Sequence, residues 1–510
     1  MKIHPLASLG LALALALCSA YPLSAQVVRD GPRAQALPSL GEGSGMSLSA
    51  ERRLGDRIAS RIYRDPDYLD DPVVGDYLEA LWRPLMTAAR QRGEITPEQS
   101  ERLAWELMIS RERSVNAFAL PGGYLGVNLG LLALTERPEE VASVLAHELS
   151  HVSQRHISRL IENDERMAPW MLGAMILGAL AAGSNPQAAG AAIIGGSAVA
   201  AQNALNFSRD MEREADRIGF SVLTDAGFDA QGFVTMFDKL QQASRLNDDG
   251  AFPYLRSHPL TGERIADMRL RLPAGPLASA APRPGHPSIA FHAQVSARAR
   301  VMSEKSPDRW RALLAAGQGA DAGVGPRYAA ALSALRLGQR DRAIELAEQL
   351  RRQVPADGRP WADALLLEIL LAPGQLSPNH TPRLAELRDA ALSGGSRTSL
   401  LLGAQAALAT GEPARAVGRL QEWVVSRPRD AQAWQLLSRA HQTQGQVLRS
   451  VRADAEARVA QRDFSGALER LKAAQALPPA QRNADPIELA IVDSRRRDVE
   501  LLLKESMRED

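Results

Sequence analysis

The sequence predicts a mainly α chain in two parts. The first is a helical domain with one small β-hairpin, and the second is an array of helical repeats. Three observations carry this. Only 5% of the 510 residues are aromatic while alanine and leucine are abundant, which favours helix over strand. A stretch holding Pro273, Pro276, Pro282, Pro284 and Pro287 parts two long helical patterns. The second pattern repeats itself.

A chain of this length holds two or three domains. It is 45% hydrophobic and 23% charged, as expected of a globular protein. The net charge of +1 leaves no basic surplus to displace counterions, so nucleic acid is not an expected partner.

Residues 1–25 read as a secretory leader. Lys2 precedes an apolar run, 6–17, that is too short to span a bilayer. Small residues follow, with cleavage expected after Ala20 or Ala25. Cys18 is the only cysteine, and Leu17 before it is not the small residue that lipid modification wants. The mature chain then needs no disulfide and has no thiol nucleophile. An exported compartment, a bacterial periplasm, is the expected address.

Residues 49–272 form the first domain. Within it, "SVNAFALPGGYLGVNLGLLAL" places the turn Pro121-Gly122-Gly123 between short apolar flanks, 116–120 and 124–128, which read as a hairpin. An edge strand can hold an extended peptide by main-chain hydrogen bonds, with Asn116, Phe118 and Tyr124 as candidate contacts.

The chemistry is expected on "VASVLAHELSHVSQRH", 141–156. Residues four apart share a helix face, so His147 and His151 can present nitrogens to one ion. Glu148 lies about 100° round from His147 and can reach a water there without being a ligand. This is the zincin arrangement, with Glu148 as the base. His156 lies about 140° round from His151, so a continuous helix cannot aim it at the same ion, and a packing or supporting role is expected.

A third ligand is needed. In "NFSRDMEREADRIGF", Glu212 and Asp216 are four apart. Glu212 is the candidate ligand, and Asp216 can accept a hydrogen bond from a ligating histidine. Glu214 points about 200° away from Glu212 and should face elsewhere.

"NAFALPGG", "HELSH" and "EREAD", in this order within residues 50–270, resemble the HtpX-like and CAAX-prenyl-protease-like zinc metallopeptidases. The resemblance implies a zincin-type fold with one Zn²⁺ per chain on His147, His151 and Glu212, and Glu148 as general base. With the leader and the repeats, it implies endoproteolysis of misassembled outer-membrane proteins and help with their assembly. A chaperone or scaffold role and an integral membrane peptidase are the alternatives. In "RSHPLTGERI", His258 matches a family histidine that can approach the metal and restrain activity. From the residues alone it could equally mark a helix start, support the fold or stabilise an oxyanion, so both readings stay open here.

The segment 168–205 carries no charge. Its first apolar run, 168–183, is marginal for a membrane span. It reads as a buried helix and a lid beside the cleft with peripheral membrane contact, and a transmembrane hairpin is the alternative.

After the linker, 273–288, the repeats occupy 289–505. Gly338 and Gly411, Ala343 and Ala416, Pro355 and Pro428, and Asp357 and Asp430 are all separated by the same interval. These segments resemble tetratricopeptide repeats, and residues 358–397 fit poorly. Stacked helix pairs make a concave surface for peptides or proteins, and the resemblance implies the outer-membrane assembly machinery as its partner.

Overall fold

The computed structural model describes residues 46–163, 208–246, 253–272, 285–319 and 321–508. The leader with Cys18, most of the Pro-rich stretch and the segment 168–205 lie outside the described residues.

Helix α1 (Leu48–Ile62) starts at Ser47, whose hydroxyl accepts from the Ala50 N–H. Helix α2 (Pro72–Gln91) starts at Asp71 with proline in its first turn. The short α3 (Pro97–Arg102) carries a reciprocal Thr96–Gln99 cap. Four strands follow the order β1-β2-β4-β3: β1 (Tyr68–Leu69), β2 (Glu106–Ser110), β3 (Ala117–Leu120) and β4 (Tyr124–Asn128). β3 and β4 form the antiparallel hairpin, β2 runs parallel to β4, and β1 is antiparallel to β2. The turn needs glycine, because Gly122 and Gly123 have φ of +75° and +85°. A Cβ on Gly122 would also lie 2.9 Å from the Arg52 Cα. β3 ends the sheet, so its outer edge has no partner strand among the described residues.

Next come α4 (Leu129–Leu134), α5 (Pro138–Ser153), α6 (His156–Asn163), α7 (Arg209–Asp225), α8 (Gln231–Leu246), α9 (Tyr254–Ser257) and α10 (Gly262–Arg271). Almost every residue of α5 is buried, so it runs through the core rather than along the surface. It packs on α7 at Gly219, where a Cβ would come within 3.1 Å of the Ala146 carbonyl and the His147 nitrogen. That close crossing brings the face of α7 beside the histidines of α5. No helix among the described residues is long and apolar enough to cross a membrane.

Helix α11 (Ile289–Met302) opens the second part, yet it is shared between two cores. Phe291, Val295 and Ala299 join the first core, while Ala297 and Val301 join the next. Side chains of this one helix therefore enter both cores.

Beyond α11 the chain is helical throughout. Tight left-handed turns at Gly338, Gly411 and Gly445 link Val324–Arg336 to Arg340–Gln353, Arg397–Ala409 to Ala414–Ser426, and Ala431–Thr443 to Val447–Ala460. Arg462, with φ +58°, makes the corresponding bend before Phe464–Gln475. Residues 358–397, which match the repeat pattern poorly, still hold Arg359–Leu371 and Thr381–Ser393. Successive apolar cores run along this array.

Buried charge joins the two halves. The Arg298 guanidinium lies 2.6 Å from Asp71 and 2.7 Å from Glu368, and donates to the Tyr328 hydroxyl at 3.1 Å. Burial works against its charge, but Asp71 and Glu368 outweigh that and hold it well above the ordinary arginine range. Arg397 bridges Asp70 and Asp430 at 2.8 Å each. Arg298→Ala would strand the Asp71 carboxylate in the core, and we expect it to cost about 3–5 kcal/mol of stability. Urea unfolding of the two proteins, followed by tryptophan fluorescence, checks this. An unchanged midpoint would mean the network is not what joins the halves.

Candidate metal centre

His147 and His151 lie one turn apart on α5, and Glu212 and Asp216 one turn apart on α7. His258 follows the short helix α9, where its N–H donates to the Tyr254 carbonyl at 2.8 Å and its ring stacks on Tyr254. One ligand atom from each of His147, His151, Glu212 and His258 falls within 4.8 Å of the others. His151 Nε2 is 3.0 Å from His147 Nε2 and 3.3 Å from Glu212 Oε1. His258 Nδ1 is 2.9 Å from Glu212 Oε1 and 3.3 Å from His147 Nε2. All four side chains are buried.

Glu148 sits beside this group with its carboxylate fully buried. It faces His258 Nε2 at 3.5 Å and the backbone N–H of Ala119 on β3, and neither oxygen has a well-formed hydrogen bond. Burial raises its pKa above the usual carboxylate range. Asp216 Oδ1 lies 2.9 Å from His147 Nδ1. The N–H is poorly aligned with that oxygen, so the contact is chiefly electrostatic.

The residue that sequence reasoning missed is Arg264, at the start of α10. Its guanidinium grips Asp216 with two contacts at 2.6 and 2.8 Å and reaches Glu212 Oε2 at 2.7 Å. It also donates to the Pro259 carbonyl at 2.8 Å, next to His258. One cation thus ties the His258 loop to both carboxylates of α7. The available signal was its place in "SHPLTGERI", shortly after His258.

The electrostatics fit a divalent cation. Glu148, Glu212 and Asp216 are each at most 1% exposed, and Arg264 is the buried arginine among them. Among the described residues, three carboxylates against one guanidinium leave two positive charges wanting, which protons or an ion can supply. Without an ion, burial works to lower His147, yet the Asp216 and Glu212 carboxylates outweigh it and raise it to about 10. Burial also opposes the charge on Glu212, but His258, His147 and His151 hold it well below the usual range. Burial drives His151 well below the ordinary histidine value. Nitrogen and carboxylate donors of this kind suit zinc, and manganese or cobalt could use them too.

The remaining candidates are placed as follows. His156 stays out of the cluster. Its Nδ1 lies 2.8 Å from His151 Nδ1, its Nε2 lies 3.1 Å from Glu214, and burial lowers it to about 4. Glu214 faces His156 and Arg159 rather than the cluster. Asn116 is half-buried with an unpartnered Oδ1, and the Phe118 ring lies across Gly126 of its own hairpin. Tyr124 needs correcting as a peptide contact: it is 1% exposed and its hydroxyl donates to Asp56 at 2.7 Å, so it is a core residue.

Residues 86–272 match Peptidase family M48. The chain is 31% identical over 372 residues to a protein of Vibrio cholerae serotype O1 assigned as a beta-barrel assembly-enhancing protease, with 72% of each chain covered. It is 28% identical over 435 residues to the beta-barrel assembly-enhancing protease of Yersinia pestis, covering 83% of this chain and 84% of that one. The corresponding Escherichia coli K12 protease is 29% identical over 419 residues, with 80% of each covered. A metal-ligand cluster on crossing helices, a carboxylate beside it and these likenesses converge: the chain belongs to peptidase family M48 and is a metallopeptidase related to the beta-barrel assembly-enhancing proteases.

Proposed function

We propose that the protein is a periplasmic zinc endopeptidase of outer-membrane quality control, which cleaves misassembled β-barrel proteins and aids their assembly. The observation that carries this is the buried cluster of His147, His151, Glu212 and His258 with Glu148 beside it and, next to it, the outer edge of β3, which has no partner strand among the described residues. The names of the relatives support the outer-membrane role, and the leader-like segment 1–25 supports the address.

In this reading His147, His151 and Glu212 hold one zinc ion. Bound there, the ion supplies a Lewis acid that polarises the scissile carbonyl and makes water more acidic. Glu148 takes the proton of the attacking water and hands it to the leaving amine. An extended peptide lies along β3, paired through main-chain groups, with Asn116 and Phe118 at its side. Asp216, held by Arg264, orients His147.

His258 would stand beside these three as a fourth protein ligand. A catalytic zinc site keeps one position open, whereas four protein ligands close it. We therefore read this arrangement as a resting state, in which the His258 loop must move before water and substrate enter.

The second part docks clients and the assembly machinery. The interval from Gly411 to Gly445 is that of one tetratricopeptide repeat, about 34 residues. A cleft of about 1090 Å³, lined by Trp105, Trp361, Arg397 and Trp423 among others, lies between the sheet and the repeats and supports binding of an extended client. The domain limits in this reading are 49–272 and 289–505, with α11 as their joint.

Glu148→Gln is expected to keep fold and metal while lowering cleavage of an unstructured protein at least 100-fold, since general-base catalysis is worth about 10²–10⁴. Near-normal cleavage by the metal-loaded variant would overturn the mechanism, and unchanged support of barrel assembly by it would favour a scaffold. His258→Ala is expected to retain metal and raise basal cleavage several-fold at matched metal content. A fall in rate would instead make His258 a catalytic or structural aid.

A further inference from the structure

The two ligating histidines of α5 are oriented by different means. His147 faces the Asp216 carboxylate through Nδ1. At the Nδ1 of His151 lies another imidazole nitrogen, His156 Nδ1, at 2.8 Å. His156 Nε2 then lies 3.1 Å from Glu214 Oε2, and the same oxygen accepts from Arg159 at 2.9 Å.

This geometry is made by a break in the helix. α5 ends at Ser153, and Arg155 takes a left-handed φ of +55° before α6 begins at His156. Such a conformation is strained for any residue with a Cβ. Arg155 is held in it by Glu51 Oε2 at 3.0 Å, the Met46 carbonyl and the Ser158 hydroxyl. The Gln99 amide also donates to the Ser153 carbonyl at 2.8 Å, where the helix ends. The reversal turns His156 back under His151, a place that a continuous helix could not give it.

Two ring nitrogens this close share one proton. His151 directs Nε2 into the cluster, so a ligating lone pair there requires its proton on Nδ1. His156 Nδ1 must then be the acceptor, and its own proton must sit on Nε2, aimed at Glu214. We propose that His156 and Glu214 are positioning residues for metal binding: an imidazole–carboxylate relay that fixes the tautomer and ring orientation of His151. It rests on the reading of His151 as a ligand. Glu214 therefore acts on the site although it lies outside the cluster, and Arg159 keeps its carboxylate in place.

The test is the dissociation constant for Zn²⁺, read by competition with a chromophoric chelator on the full chain. His156→Phe keeps the ring without an acceptor and should weaken binding about 10–100-fold, the range for losing such an outer partner. His156→Asn offers an oxygen near the place of Nδ1 and should restore most of it. Glu214→Ala should weaken binding several-fold, and Glu214→Gln, which still offers an acceptor oxygen, less. Should His156→Phe not fold, the Glu214 pair and ¹⁵N histidine spectra of the zinc-loaded wild type decide: His151 is expected as the Nδ1–H tautomer and His156 as the Nε2–H tautomer. Wild-type affinity in folded His156→Phe, equal losses in the Phe and Asn variants, or the opposite tautomers would overturn the relay. If the wild type itself binds no zinc, the metal reading fails first and the relay with it.

Discussion

Among the described residues, three carboxylates share one buried pocket with a single guanidinium, and much of the first domain follows from that imbalance. Glu148, Glu212 and Asp216 could not stay ionised there without compensation, because unpaired buried charge costs several kcal/mol. Arg264 neutralises one of them and anchors the other two elements of the site to itself. Three imidazoles supply the remaining donors. The close crossing at Gly219 brings α5 and α7 near enough for one ion to satisfy both helices. The cluster is thus a cross-brace of the fold as well as a site of chemistry.

The second constraint is the joint between the halves. Helix α11 gives side chains to two cores, and Arg298 within it pairs with Asp71 at the start of α2. Arg397 and Arg462 reach from the repeats to Asp70 and Asp56. Asp56 also accepts from Tyr124 at the start of β4. The repeats are therefore fixed against the sheet that flanks the centre.

Much of the centre is legible in the sequence because helix geometry turns spacing into direction. His147 with His151, and Glu212 with Asp216, share faces at a separation of four, and a Pro-Gly-Gly turn marks the hairpin. What is not legible depends on contacts distant in sequence. Arg264 in "GERIADMRLR" looks like one more solvated cation, and only the fold buries it against α7. Strands β1 and β2 are two and five residues long and show no clear alternation. Tyr124 reads as an accessible residue at a strand end, but both faces of β4 are covered. The angle of a continuous helix sets His156 apart from His151, and the left-handed Arg155 removes that premise. The sharing of α11 between two cores is likewise invisible in its sequence, because it depends on partners from both parts.

The most direct test of this account is the metal content of the purified full chain and of Glu212→Ala, measured by plasma mass spectrometry after dialysis. The account predicts about one zinc per chain for the wild type and nearly none for the variant, with both folded by circular dichroism. A folded wild type that holds no divalent ion, or a variant that retains a full equivalent, would contradict it.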